Sequence, residues 1–323
     1  MIQVEFDDYG GPDVLHAVTV PDPAAGPGEV LVRAEAIGIT FVETQRRAGR
    51  FHPPGAPPLV FPAVLGNGVE GAIVETGDGV DLARVGERVV TATGGDGGYA
   101  ELVVVDADAP VPIPDGLDRG QAVAMLADGR TALAEVRAAE LEPGERVLVL
   151  AAAGGVGSLL VQLVHHGGGI VVAAAGGPDK VEVTVELGAD HAVDYLEPSW
   201  VDTVRALVGE VDVVLDGVGG DVGAVAATLL ASQGRRVVYG GASGAPSGDP
   251  PPPRDDIVEV AGFRSIRGPD DNRALVAQAL GLAADGRLKA IVGQTFALTA
   301  AADAHRAIET RTTIGKTILI PSP

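Results

Sequence analysis

No cysteine occurs in the 323-residue chain, which excludes disulfides, thiolate nucleophiles and cysteine-ligated metal sites together. Aromatic residues are scarce at 3%, so a hydrophobic share of 46% must come mainly from Ala, Val, Leu and Ile. Cations are outnumbered: 23 Lys and Arg against 44 Asp and Glu give a formal net charge of -21. That charge repels a phosphate backbone and removes the main driving force for nucleic-acid binding. Small anionic ligands stay open, because backbone N–H groups bind them locally even in an acidic protein. Long apolar runs are missing, and the opening MIQVEFDDYGG has no basic stretch leading into an apolar one. No membrane partner and a cytoplasmic location are therefore expected.

What is present is Gly and Pro, 46 and 23 of them, which imply many tight connections. The length exceeds one ordinary core and predicts two lobes. The first part reads as short strands at Ile2 to Phe6, Val30 to Ala36, Ala72 to Glu75, Arg88 to Thr93 and Tyr99 to Val105, bounded by Gly and Pro turns. From about Gln121 the texture alternates helix and strand, the pattern of a parallel sheet covered by helices. Helices are predicted over Gln121 to Ala139, Val156 to His166, Asp179 to Leu187, Ser199 to Val208 and Val222 to Leu230. Strands are predicted at Arg146 to Leu150, Ile170 to Ala174, Val211 to Leu215 and Arg236 to Tyr239. Gly244 to Arg254, with four consecutive prolines, reads as a surface loop. The tail offers a strand at Phe263 to Arg267, helices at Asp270 to Asp285 and Ala300 to Glu309, and a strand at Lys316 to Ile320.

The stretch Arg146 to Gln162 places Ala151, Gly154 and Gly157 in an A-x-x-G-x-x-G turn between an apolar strand and an amphipathic helix. Small residues suit a turn whose backbone must approach a pyrophosphate at a helix N-terminus, so a dinucleotide cofactor is expected. An acid about 20 residues further on would bind both ribose hydroxyls of NAD, yet Ala173 to Ala175 stand there. Lys180 follows in the loop, where its ammonium either faces a 2′-phosphate or is a solvated first-turn lysine. Asp179 beside it either caps the helix or weakens phosphate binding.

The segments at 151–158, Gln162, the Lys180 loop, Leu187 to Tyr195 and Ala304 to Lys316 resemble zinc-free quinone oxidoreductases of the medium-chain dehydrogenase/reductase superfamily. Gly38 to Gly49 matches that family's substrate-lobe helix start, with Thr40 where the family has Asn. The likeness spans essentially the whole chain. It implies an α/β fold: a doubly wound parallel Rossmann sheet domain over 123–261, and a mostly β GroES-like catalytic domain from 1–122 and 262–323. It implies NADPH, with Gly154, Gly155, Val156 and Gly157 on the pyrophosphate and Lys180 and Tyr195 flanking the 2′-phosphate. Gly176 and Gly177 replace hydroxyl residues frequent in the family. Thr131 aligns near the nicotinamide ribose, Gly241 and Ser243 beside the carboxamide, and Arg311 and Lys316 with late basic residues near the cofactor.

Zinc-dependent relatives put Cys where Thr40 stands and His-Glu where Asn67-Gly68 stand, so the resemblance implies no catalytic zinc. The six histidines show no metal-binding spacing; His165 and His166 are adjacent and point to different faces of a helix. The implied activity is hydride transfer from NADPH to a quinone or other conjugated carbonyl, with Thr40 as the hydrogen-bonding catalytic residue and Phe51 and His52 shaping the substrate entrance. Enoyl-thioester or 2-alkenal reduction is the alternative, and a non-catalytic NADPH-binding sensor or scaffold the rival of another class. A homodimer is implied, through the Rossmann lobe and the alternating segment Phe263 to Arg267.

Overall fold

The structure, a computed structural model, describes residues 1–52, 58–244 and 256–322. Most of the loop read at 244–254, and positions 53–57 of the loop after His52, lie outside the described residues. The chain divides into two compact units, Met1–Ala127 with Val276–Pro323, and Asp128–Leu275.

The first unit opens with an antiparallel pair, β1 (Ile2–Glu5) and β2 (His16–Thr19), followed by β3 (Glu29–Ile39), α1 (Phe41–Arg47), β4 (Gly68–Thr76), β5 (Arg88–Ala92), β6 (Leu102–Asp106), β7 (Val111–Pro112) and α2 (Arg119–Ala124). The long β3 is the axis of this sheet, pairing antiparallel with both β4 and β6. Val30, Val32, Ile37, Val69, Ile73, Val89 and Val103 fill the core with Phe6 and Tyr99. β-branched residues dominate because they pack well on a pleated surface.

After a π-turn at Met125–Gly129, the second unit runs through α3 (Arg130–Ala139), β8 (Arg146–Leu150), α4 (Gly155–His166), β9 (Ile170–Ala175), α5 (Pro178–Glu186), β10 (His191–Asp194), α6 (Trp200–Val208), β11 (Val211–Asp216), α7 (Gly220–Ala227), β12 (Leu230–Val238) and β13 (Val258–Ala261). Among the described residues its six strands lie in the order β10-β9-β8-β11-β12-β13, with every pair parallel. This is the doubly wound Rossmann order, and its switch point falls between β8 and β11. Strands covered on both faces must be apolar throughout; Val147, Leu148, Val149 and Leu150 are accordingly all buried.

The tail carries α8 (Pro269–Ala284), β14 (Val292–Ala297), α9 (Ala301–Glu309) and β15 (Lys316–Ile320). β15 pairs antiparallel with β3, Thr317 opposite Ile39 and Leu319 opposite Ile37, so the chain end completes the first unit's sheet.

Three readings are corrected, and one of the two alternatives for Asp179 is closed. The helix read over Gln121 to Ala139 is two helices separated by the π-turn. The helix read to Leu230 stops at Ala227, because Leu230 already begins β12. Phe263 to Arg267 is not a strand: Gly262–Ser265 forms a 3-10 turn, held by the Ser265 hydroxyl donating to the Ala134 carbonyl at 3.0 Å. Asp271 is bound by Arg137 at 2.7 Å. These contacts on α3 explain why residues 262–275 fall in the second unit. Asp179 does not cap α5, whose N-cap is Gly177 followed by Pro178.

Candidate functional site

In the second unit the glycine turn connects β8 to α4 at the switch point. Ala151 takes a positive φ of 52°, and Gly154 is the N-cap of α4. A Cβ on Gly157 would lie 2.2 Å from the Ala151 carbonyl oxygen, so only glycine permits this packing of helix on strand. The N-terminal N–H groups of the twelve-residue α4 thus sit at the crevice where such folds bind anions. This backbone cradle fits a pyrophosphate. Thr131 is buried in the first turn of α3.

The candidate adenosine end forms where β9 and β10 finish. Tyr195 follows β10, and its ring lies against Gly176, where a Cβ would come within 3.1 Å of it. A hydroxyl residue of the kind frequent in the family would require the Tyr195 ring to shift by a few tenths of an ångström. Lys180 is half-buried in the first turn of α5. The nearby acid, Asp194, is committed to backbone: its Oδ1 accepts from Gly177 N–H at 3.0 Å and Leu196 N–H at 2.9 Å. β9 itself ends at Ala175, so no carboxylate stands at the position that selects a 2′-hydroxyl.

Gly241 and Ser243 follow β12 and run beside the end of β11, the Ser243 N–H donating to the Val218 carbonyl at 2.9 Å and Ala242 N–H to that of Gly217 at 3.1 Å. The anchor of this loop pair was not read from the sequence. Asp216 and Arg236 form a fully buried ion pair at 2.6 Å, and Asp216 Oδ1 also accepts the N–H groups of Val218 and Gly219 at 2.9 and 2.8 Å. The carboxylate thereby folds the Gly217–Gly219 turn under the Gly241–Ser243 segment.

In the first unit, Thr40 is the half-buried N-cap of α1, and its N–H donates to Glu43 Oε2 at 2.7 Å. Glu43 Oε1 accepts from Asn67 N–H at 2.9 Å. One buried carboxylate therefore ties together the two segments that carry metal ligands in zinc-dependent relatives. Burial pushes the Glu43 carboxyl up, opposed by the Thr40 N–H and then by the charge of Lys316. Tyr99 donates to Glu43 Oε2 at 3.3 Å, and its oxygen is 2.8 Å from Nε2 of His305. Burial holds His305 down to about 3, with Arg47 adding to the effect. The neutral ring carrying its proton on Nε2 fits this chain of bonds and leaves Nδ1 the unprotonated nitrogen, the ring atom without a hydrogen-bond partner among the described residues.

Lys316 is buried at the start of β15, its stem passing over Gly38, and acts on Glu43. Arg311 is exposed in the turn after α9. Phe51 is 43% exposed, and His52 is exposed beside it. Thus the structure places Gly154 to Gly157 at one turn, Lys180 in the first turn of α5, Tyr195 just after β10, and Thr40 with Lys316 around Glu43; Arg311 lies in the exposed turn after α9. Among the described residues no group of three or more His, Asp or Glu side chains is arranged to hold a metal ion, and no helix is long and apolar enough to cross a membrane.

A parallel sheet with a glycine turn at its switch point, together with a β unit closed by both chain ends, defines a nucleotide-dependent oxidoreductase architecture. Residues 26–115 match the family model described as alcohol dehydrogenase GroES-like domain, and residues 187–319 match that of zinc-binding dehydrogenase. A quinone oxidoreductase of Pseudomonas aeruginosa is 33% identical over 99% of both chains. A 2-haloacrylate reductase of a Burkholderia species is 33% identical over 97% of this chain and 96% of its own. The structure of Escherichia coli quinone oxidoreductase complexed with NADPH superposes with a TM-score of 0.89 at 28% identity, covering 99% of this chain and all of that one. The chain belongs to the zinc-free, quinone-oxidoreductase-like branch of the medium-chain dehydrogenase/reductase superfamily and is an oxidoreductase.

Proposed function

We propose that the protein is a zinc-independent reductase that prefers NADPH and acts on quinones or other conjugated carbonyl compounds. The observation that carries this is the glycine turn at the switch point with Lys180 and Tyr195 at the neighbouring strand ends and no acid at Ala175. Gly154 to Gly157 hold the pyrophosphate, Lys180 and Tyr195 the 2′-phosphate, Thr131 the ribose side, and Gly241 and Ser243 the carboxamide. Arg311 and Lys316 supply positive charge toward the cofactor. A reduced nicotinamide, when bound, supplies a hydride. The chain's own tasks are to orient that donor, exclude water and hydrogen-bond the substrate oxygen through Thr40, so orientation dominates the rate. Phe51 and His52 shape the substrate entrance, and the balancing proton comes from solvent.

Conjugated carbonyls suit a site without a metal because their own π-system spreads the arriving charge. The likeness to a 2-haloacrylate reductase favours activated alkenes as a second substrate class. Steady-state oxidation of NADPH with a panel of small quinones, enones and enoyl thioesters tests the proposal. Turnover with quinones or enones is expected, and exhaustive chelation should leave it unchanged. Cofactor binding without turnover across the panel would make the protein a sensor or scaffold instead, and loss of activity with stoichiometric zinc would refute metal independence.

Assembly as a homodimer is also proposed. β13, at the end of the sheet with Val258 half exposed, supports it in place of the segment first read at 263–267. Sedimentation should give about twice the chain mass; a monomer at micromolar concentration refutes it.

A further inference from the structure

Asp128 is accounted for neither by the glycine motif nor by the packing of the core. It lies in the π-turn Met125–Gly129, a distortion that often marks functional positions, and it is 7% exposed. A Cβ placed on Gly155 would lie 2.2 Å from Asp128 Oδ2 and 2.9 Å from its Cγ. The carboxylate therefore rests directly on the backbone of Gly155, the first residue of α4. That is the positive end of a twelve-residue helix, the place where an anion is best stabilised.

We propose that Asp128 sets the affinity of the protein for dinucleotides: its carboxylate competes with the pyrophosphate for the N-terminus of α4 and repels it once bound. The proposal rests on the reading of the glycine turn as a dinucleotide site. Lys180 and Tyr195 distinguish one dinucleotide from another, whereas Asp128 acts on the diphosphate that both share. Its effect is common to NADPH and NADH. Arg130, two residues on, feels the Asp128 charge and donates to Asn272 Oδ1 at 3.1 Å, so its guanidinium offsets part of the repulsion. Two anions at one helix end still interact over a few ångströms in a partly buried setting, where screening by salt is incomplete. Removing one of them should tighten binding about tenfold, equivalent to about 1.4 kcal/mol.

The test is titration of the full-length protein with NADPH and with NADH, followed by nicotinamide fluorescence, in wild type, D128N and D128S at low and high salt. 2′-AMP, which carries no pyrophosphate, is titrated in parallel by calorimetry. Both variants should bind both dinucleotides about tenfold more tightly at low salt, the gain should shrink at high salt, and the affinity for 2′-AMP should not move. Intrinsic fluorescence of the buried Trp200 checks that each variant is folded. Unchanged or weaker dinucleotide binding in the folded variants overturns the proposal alone. If wild type and both variants bind neither dinucleotide, the reading of the glycine turn and the proposal fall together.

Discussion

Glu135 should be a pH-dependent weak point of the dinucleotide-binding unit. It lies on α3, fully buried, with both carboxyl oxygens lacking a hydrogen-bond partner among the described residues and pressed against Gly262. Burial alone pushes its carboxyl from 4.5 up to about 8. The folded state therefore holds a proton that the unfolded state has released, so stability is fully present below about pH 4.5 and is lost as pH rises toward 8. Each pH unit in that window costs about 1.4 kcal/mol, which amounts to about 3 kcal/mol at pH 7 and about 4 at pH 8. His305, neutral in the other unit, tilts its own unit the opposite way: its folded value of about 3 lies below 6.5, so that contribution is lost as pH falls.

The clean perturbation is Glu135→Gln, which keeps the shape and removes the titration. Trp200 is the sole tryptophan and is buried in the same unit, so urea unfolding followed by its fluorescence reads this unit directly. In wild type the midpoint should fall from pH 5 to pH 8; in the variant that limb should flatten, leaving it more stable than wild type by about 3 to 4 kcal/mol at pH 8. Glu135→Leu should gain as much or more, since no polar group remains buried. A variant that keeps the wild-type slope, or is less stable at pH 8, would refute the assignment of that slope to Glu135.

Three further outcomes follow from the same geometry. Lys180→Ala should raise the KM for NADPH about tenfold, as for the loss of a charge-assisted contact of about 1.5 kcal/mol, and leave that for NADH unchanged; equal losses would assign Lys180 to the fold. Asp216→Asn should destabilise the dinucleotide-binding unit by about 3–5 kcal/mol, because Arg236 is left charged and buried, and the Trp200 transition measures it; a change below about 1 kcal/mol would mean that Glu259, 3.7 Å from Arg236, takes over. Glu43→Gln must turn an amide donor toward the Thr40 or Asn67 N–H, so kcat for enone reduction should fall while the dissociation constant for NADPH holds; equal loss of both contradicts the local role.

Four of the six strands described in the second unit were legible as apolar runs, and α4 and α6 as helices closed by Gly167 and Gly209. The glycine turn was legible because close approach of backbone to backbone tolerates no other residue at Gly157. β10 and β13 escaped notice as strands of four residues, β10 with a single buried position and β13 with none. Phe263 to Arg267 alternates like a strand, yet the bond from Ser265 to α3 turns it, and alternation carries no information about a tertiary hydrogen bond. β14 alternates half-buried and exposed positions, and its register is set by the parallel partner β15.

Buried ionisable groups were the least legible part of the site, for a physical reason. A single acid reads as surface or turn, and the free energy that keeps it inside comes from residues distant in sequence. Glu43 is held by Asn67, Tyr99 and Lys316, and Asp216 by Arg236, 20 residues away. In each case the carboxylate also accepts backbone N–H groups, so the side chain and the backbone it holds require one another. Glu43 binds the N–H groups of Thr40 and Asn67, and Asp216 those of Val218 and Gly219. Glu135 has no such backbone donors and no hydrogen-bond partner among the described residues, which is why its burial is expressed as a raised proton affinity instead of a fixed loop. The same burial thus yields two opposite results, and the number of donors meeting each carboxylate decides between them.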